Sequence, residues 1–82
     1  MGSVATSSLQ GNGRTVQIVR RFRLLSQTQL AERVGKTQAW VANMEGGRVR
    51  LVGAELDAVA EALGVEVAAL AGPVVKPAKA AS

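Results

Sequence analysis

Eighty-two residues allow one small domain, with no room for a second domain or a deep substrate cavity. With no Cys and no His, the chain lacks disulfides, ordinary zinc sites and any nucleophile that needs an imidazole base, and its six carboxylates are scattered; neither a cofactor nor a metal is expected, nor any catalysis. The net charge of +4 is unevenly spread: residues 1–50 hold eight Arg/Lys against two acids, and residues 51–82 hold two Lys against four acids.

Residues 1–13, MGSVATSSLQGNG, carry no charged side chain and are rich in Ser and Gly, which predicts a flexible arm. A first helix is expected over 14–24. Its Val16 and Val19 face the core, and Arg20, Arg21 and Arg23 are mostly solvated. Ile18 and Phe22 form an i, i+4 apolar pair on another face of this helix, open to reading as a partner surface or as ordinary surface hydrophobes.

A second helix is expected over 27–34. Ser26 and Gln29 form a capping box at its start, and Leu30, Ala31 and Val34 make its buried stripe. Gly35 ends it in a left-handed turn. Thr37 caps a third helix over 38–45, with Val41 and Met44 inward and Gly46-Gly47 as its stop. A fourth helix runs over 54–63, where Leu56, Val59, Ala60 and Leu63 recur at helical spacing before Gly64. A short fifth covers 66–71 and adds Val67 and Leu70. No segment alternates with period two, so no sheet is expected. Residues 72–82, GPVVKPAKAAS, contain two Pro and read as a disordered tail or linker.

The fold class is therefore all-α, a compact five-helix bundle over residues 14–71. Two short helices joined at a small-residue corner, Ala31-x-x-x-Gly35, make a helix-turn-helix. Such a corner holds the second helix out so that its first side chains reach base edges in the DNA major groove. Gln38 and Asn43 carry amides that can donate to adenine N7 and accept from N6, and Ala39 is small enough to lie against a thymine methyl. Arg48 and Arg50 follow that helix in a loop placed to straddle a phosphate backbone, and Arg14 does the same from the first helix. A one-sided basic half is what a polyanion-binding domain needs. No apolar run approaches the roughly 18–20 residues that span a bilayer, and no basic-then-apolar leader opens the chain; no membrane association and a cytoplasmic location are expected, in a bacterial cell or phage-infected host.

The run SQTQLAERVGKTQAWVANMEGG, followed by VAEALGVEVAAL, resembles the helix-turn-helix family of lambdoid phage repressors, Cro proteins and xenobiotic-response-element regulators. The resemblance spans residues 14–71. It implies a lambda-repressor-like fold, a homodimer and a pseudo-palindromic double-stranded DNA operator. By position it implies base contacts from Gln38, Ala39 and Asn43, and backbone contacts from Gln27, Lys36, Thr37, Arg48, Arg50 and Arg14. Trp40 stands where the family usually has Ser or Thr at a phosphate; its indole can donate to phosphate or fold back over the second helix. Lys36 replaces a common Val. Leu24 occupies a site that is often Gly. Arg20 and Glu45 match an ion pair joining the first helix to the end of the third. Val67, Leu70, Val74 and Val75 match the dimer interface. The resulting expectation is a transcriptional repressor. The rivals are an antitoxin that binds operator DNA and a toxin, and an anti-repressor-like interaction module that kept the fold without DNA binding.

Overall fold

In the computed structural model, residues 9–71 are described. The order is β1 (Gln10–Gly11), α1 (Gly13–Phe22), α2 (Gln27–Val34), α3 (Gln38–Glu45), β2 (Leu51–Val52), α4 (Gly53–Leu63) and α5 (Val67–Ala71). The five helices enclose one core in which Val16, Leu30, Val41, Met44, Val59 and Leu70 are almost fully buried. Among the described residues no helix is long and apolar enough to cross a membrane.

Helix starts follow local chemistry. Asn12 accepts from the Thr15 N–H to open α1. Ser26 and Gln29 bond reciprocally to open α2, at 3.0 Å and 2.8 Å. Thr37 accepts from the Trp40 N–H to open α3. Helix α4 starts without a side-chain cap; its first turn instead carries Glu55, favoured there by the helix dipole.

Helix ends share one device. In α1 to α4, two successive N–H groups turn back to carbonyls of the last turn: Leu25 to Arg20, Lys36 to Ala31, Arg48 to Asn43 and Val65 to Ala60 close the wider ring in each. This is the Schellman arrangement, and it needs one left-handed residue. Gly35, Gly47 and Gly64 supply it for α2, α3 and α4; in α1 the residue is Leu24, at φ 61°. So α1 ends at Phe22, two residues before the expected boundary.

Two expectations about the N-terminal segment are corrected. A small antiparallel sheet exists, pairing Gln10 with Val52 and Gly11 with Leu51. Strands of two residues are too short for any period to register; in the second, Leu51 enters the core. The segment 9–13 is accordingly part of the body rather than of a flexible arm. Leu9 packs on the core, and the Asn12 N–H donates to the Leu70 carbonyl at 2.7 Å. Gly13 begins α1 against the end of α3; a Cβ there would overlap the Met44 carbonyl oxygen, so the close approach requires glycine.

Leu24 is 88% exposed, so its side chain contributes little packing while its backbone sits where L-residues are strained. Leu24→Gly should therefore raise unfolding stability by about 1 kcal/mol, the order of the left-handed penalty. Urea titration followed by circular dichroism measures it; an unchanged or lowered midpoint would contradict the strain.

Candidate nucleic-acid interface

The α2–turn–α3 unit is built around a small-residue corner. Ala31 is buried, Gly35 turns at φ 73°, and the Lys36 N–H bonds back to the Ala31 carbonyl at 2.9 Å. Helix α3 buries Val41 and Met44 and exposes Gln38 and Ala39, with Ala42 and Asn43 half-buried. Successive α-helical residues are about 100° apart, so Ala39, Ala42 and Asn43 share the face opposite Val41.

A chain of four polar side chains fixes this helix. Arg20 is buried, 6% exposed, where solvation of its head group was expected. The reason is its partners. Its Nε donates to Glu45 Oε2 at 2.6 Å, Nη2 donates to Glu45 Oε1 at 3.0 Å, and Nη1 donates to the Leu25 carbonyl at 2.8 Å. Glu45 Oε1 also accepts from Gln27 Nε2 at 3.0 Å, and Gln27 Oε1 accepts from Gln38 Nε2 at 2.7 Å. The chain thus runs from α1 to the end of α3, across to the start of α2, and out to the start of α3. No described buried side-chain nitrogen or oxygen lacks a partner.

Beside α3 lies an open depression of about 670 Å³ lined by Arg14, Gln17, Gln27, Ala42 and Arg50 among others. Arg50 Nη2 donates to Gln10 Oε1 at 3.3 Å, and Arg48 Nη1 donates to Asn43 Oδ1 at 3.2 Å. Both arginines are exposed. Among the described residues, Glu45 is the only acid lining this depression, and it is already held by Arg20 and Gln27. Asp57, Glu61 and Glu66 line a different depression, on α4 and the turn that follows it.

A family model described as a helix-turn-helix domain matches residues 13–71. The chain belongs to the helix-turn-helix family. It is 37% identical over 60 residues to the immunity repressor protein of Bacillus phage phi105, covering 73% of this chain and 42% of that relative. It therefore spans less than half the length of that protein. The crystal structure of the clp gene regulator ClgR from C. glutamicum matches with a TM-score of 0.66 and 27% identity, over 68% of this chain and 73% of that one.

Within this helix-turn-helix domain, several side chains stand elsewhere than the sequence suggested. Lys36 is turned toward α4: its Nζ lies 2.6 Å from Glu55 Oε2 and 5.2 Å from the centroid of the Trp40 ring. Trp40 takes the second of its two expected positions: it is half-buried against the core and shares a small cavity of about 190 Å³ with Val34 of α2 and with Ala54 and Ala58. The wide indole gains more from that apolar contact than from solvent, and it carries the Lys36 cation with it. Leu70 is 0% exposed and belongs to the core, so it is not free to form a dimer interface; α5 packs on α1, α4 and β1, which turns its one long side chain inward. Val67 is half-buried on that core, and Val74 and Val75 lie outside the described residues. Gln10, Gln17 and Ala42 were missed. Gln17 and Ala42 had a readable signal, standing three residues after Arg14 and three after Ala39 on the same helix faces; Gln10 had none.

Arg20→Ala or Glu45→Ala should destabilise by roughly 3–5 kcal/mol, since each strands a buried charge, while the exposed Arg21→Ala should cost under about 0.5 kcal/mol. The double variant should lose markedly less than the sum of the singles. Thermal and urea unfolding of the four proteins test this; additive small losses would mean the two groups are not coupled.

Proposed function

We propose that this helix-turn-helix domain binds double-stranded DNA in a sequence-specific way and acts as a transcriptional repressor, without catalysis. Helix α3 enters the major groove. Two copies sit on a pseudo-palindromic site with half-site centres about 34 Å, or 10–11 base pairs, apart. The observation that carries this reading is the presentation of Gln38. It is exposed at the first turn of α3, and its amide is oriented by Gln27, which Glu45 and Arg20 hold in turn. One N–H of Gln38 is spent on Gln27. The other N–H and the carbonyl oxygen remain, and these are the donor and acceptor that an adenine edge requires. Similarity to a phage immunity repressor supports the regulatory role.

In this reading Gln38, Ala39 and Asn43 read bases, and Arg14, Arg48, Arg50 and Thr37 position the backbone. Gln27 braces Gln38 from within. Lys36 joins the backbone set by exchanging Glu55 for a phosphate: that pair is exposed, and such pairs contribute only about 0–1 kcal/mol. Trp40 props α3 against α4.

Selection of bound sequences from a random DNA pool tests the reading. The wild-type domain should return a two-fold symmetric motif. Gln38→Ala should weaken the best site by about 1–3 kcal/mol and relax one position in each half-site. An unchanged motif in the variant would remove Gln38 from base readout.

Arg48→Ala and Arg50→Ala should weaken binding on all sequences alike. Each should flatten the slope of log affinity against log salt by roughly one unit, because each neutralised phosphate releases counterions. Slopes equal to wild type in both variants would place these arginines off the DNA.

A further inference from the structure

Lys36 is the cation at the tip of the helix-turn-helix corner, one residue before the Thr37 that caps α3. Its Nζ lies 2.6 Å from Oε2 of Glu55, in the first turn of α4, and 5.2 Å from the centroid of the Trp40 ring. The corner, α3 and α4 thus converge on one ammonium. The Lys36 and Glu55 side chains remain 34% and 40% exposed, so the pair is open to exchange with an anion from solvent. The other cations of the proposed DNA face are held differently. Arg48 rests on the Asn43 amide and Arg50 on the Gln10 amide, both neutral. Arg14 has no carboxylate partner among the described residues. Of these four cations, only Lys36 meets a charge of the sign that DNA carries.

We propose that Glu55 sets the strength of DNA binding from outside the DNA face, by competing with phosphate for the Lys36 ammonium. This rests on the DNA-binding reading above. Lys36 must leave Glu55 before it neutralises a phosphate, so the contact it gains is partly cancelled by the contact it gives up. With the Glu55 charge removed, the Trp40 ring is the described partner that remains, and a neutral ring opposes transfer to phosphate less than a carboxylate does. A phosphate contact carries no sequence information, so the cancellation is the same on every sequence. Glu55 therefore lowers affinity without altering which bases are preferred. The sign is the distinctive consequence: damage to a fold weakens its complexes, whereas loss of the Glu55 charge strengthens this one.

The test is DNA affinity of the full chain by fluorescence anisotropy, on a labelled duplex carrying the motif it selects and on a scrambled duplex of equal length. Glu55→Gln should bind both about two- to fivefold tighter than wild type, within the range that an exposed ion pair spans. In a Lys36→Gln background the same substitution should change nothing, because Glu55 acts through Lys36. Asp57→Asn removes an equal charge from an exposed site on the same helix, outside both described ion pairs. Salt screens that charge, so its gain should stay below about twofold. Glu55→Gln that binds no tighter than wild type, that gains equally without Lys36, or that gains no more than Asp57→Asn overturns the role of Glu55 and leaves DNA binding in place. A wild-type chain that selects no motif and binds neither duplex overturns the DNA-binding reading, and the role of Glu55 with it.

Discussion

The buried Arg20–Glu45 pair is the contact on which the placement of helix α3 depends. Helix α3 has eight residues, well below the roughly 12–15 at which isolated helices become even marginal in water. Its last residue is an acid and its last turn holds no base, the wrong sign for a C-terminal dipole. Glu45 alone would loosen that end. Arg20 reverses the effect by placing a guanidinium against the carboxylate from α1, and Gln27 adds a third donor from α2. Burying two charges costs several kcal/mol before any gain, so the pair makes sense through geometry more than through net stabilisation. It fixes where α3 ends relative to two other helices. Gln27 then carries that constraint to Gln38, so the helix is held at both ends by one connected set of side chains.

The loop after α3 is positioned by different means. Gly47 turns the chain, the Arg48 N–H returns to the Asn43 carbonyl at 2.8 Å, and β2 pairs with β1 immediately afterwards. Residues 48–50 therefore span a short distance between two anchored points. This confines Arg50 to the edge of the depression beside α3, and Arg48 to the side of Asn43, without a large apolar footing of their own. The anchoring reaches α5 as well, because the Asn12 N–H that follows β1 bonds to the Leu70 carbonyl. Segments far apart in sequence thus meet under the proposed DNA face.

What was legible in the chain was local. Ser26, Gln29, Thr37 and Gly35 act within four residues of themselves, so propensity and capping rules reach them. The stripes of α2 and α4 are long enough to show their period. What escaped needed tertiary context. The two-residue strands carry no periodic signal. Val67–Ala71 is apolar on every side, so nothing in its pattern says that Leu70 turns inward. Arg20 looks like one of three similar arginines until Glu45 is brought to it across the fold. That pairing, and the backbone role of Gln27, entered through family resemblance. The contact of Gln27 with Gln38 depends on how two helix starts abut, which no spacing rule encodes. Trp40 was ambiguous for a physical reason: an indole is apolar in body and polar at one atom, so either environment suits it.

In the proposed DNA-binding role, the same geometry makes Gln38 and Asn43 unequal readers along α3. Gln38 is oriented before any ligand arrives, through a 2.7 Å bond to a glutamine that is itself held. Ordering a side chain at an interface costs roughly 0.5–1.5 kcal/mol, and for Gln38 much of that cost has already been met in the fold. Asn43 is held only by exposed Arg48, at 3.2 Å, and Arg48 is itself proposed to contact phosphate. If Arg48 swings to the backbone, the Asn43 carbonyl is freed; if it stays, Asn43 presents mainly its two N–H donors. On that proposal the two arrangements of Asn43 favour different base edges, acceptor pairs such as guanine N7 and O6 in one and an adenine edge in the other. Base discrimination should be sharp at the position facing Gln38 and broader at the position facing Asn43. The difference arises from which neighbour each amide was given, not from the amides themselves.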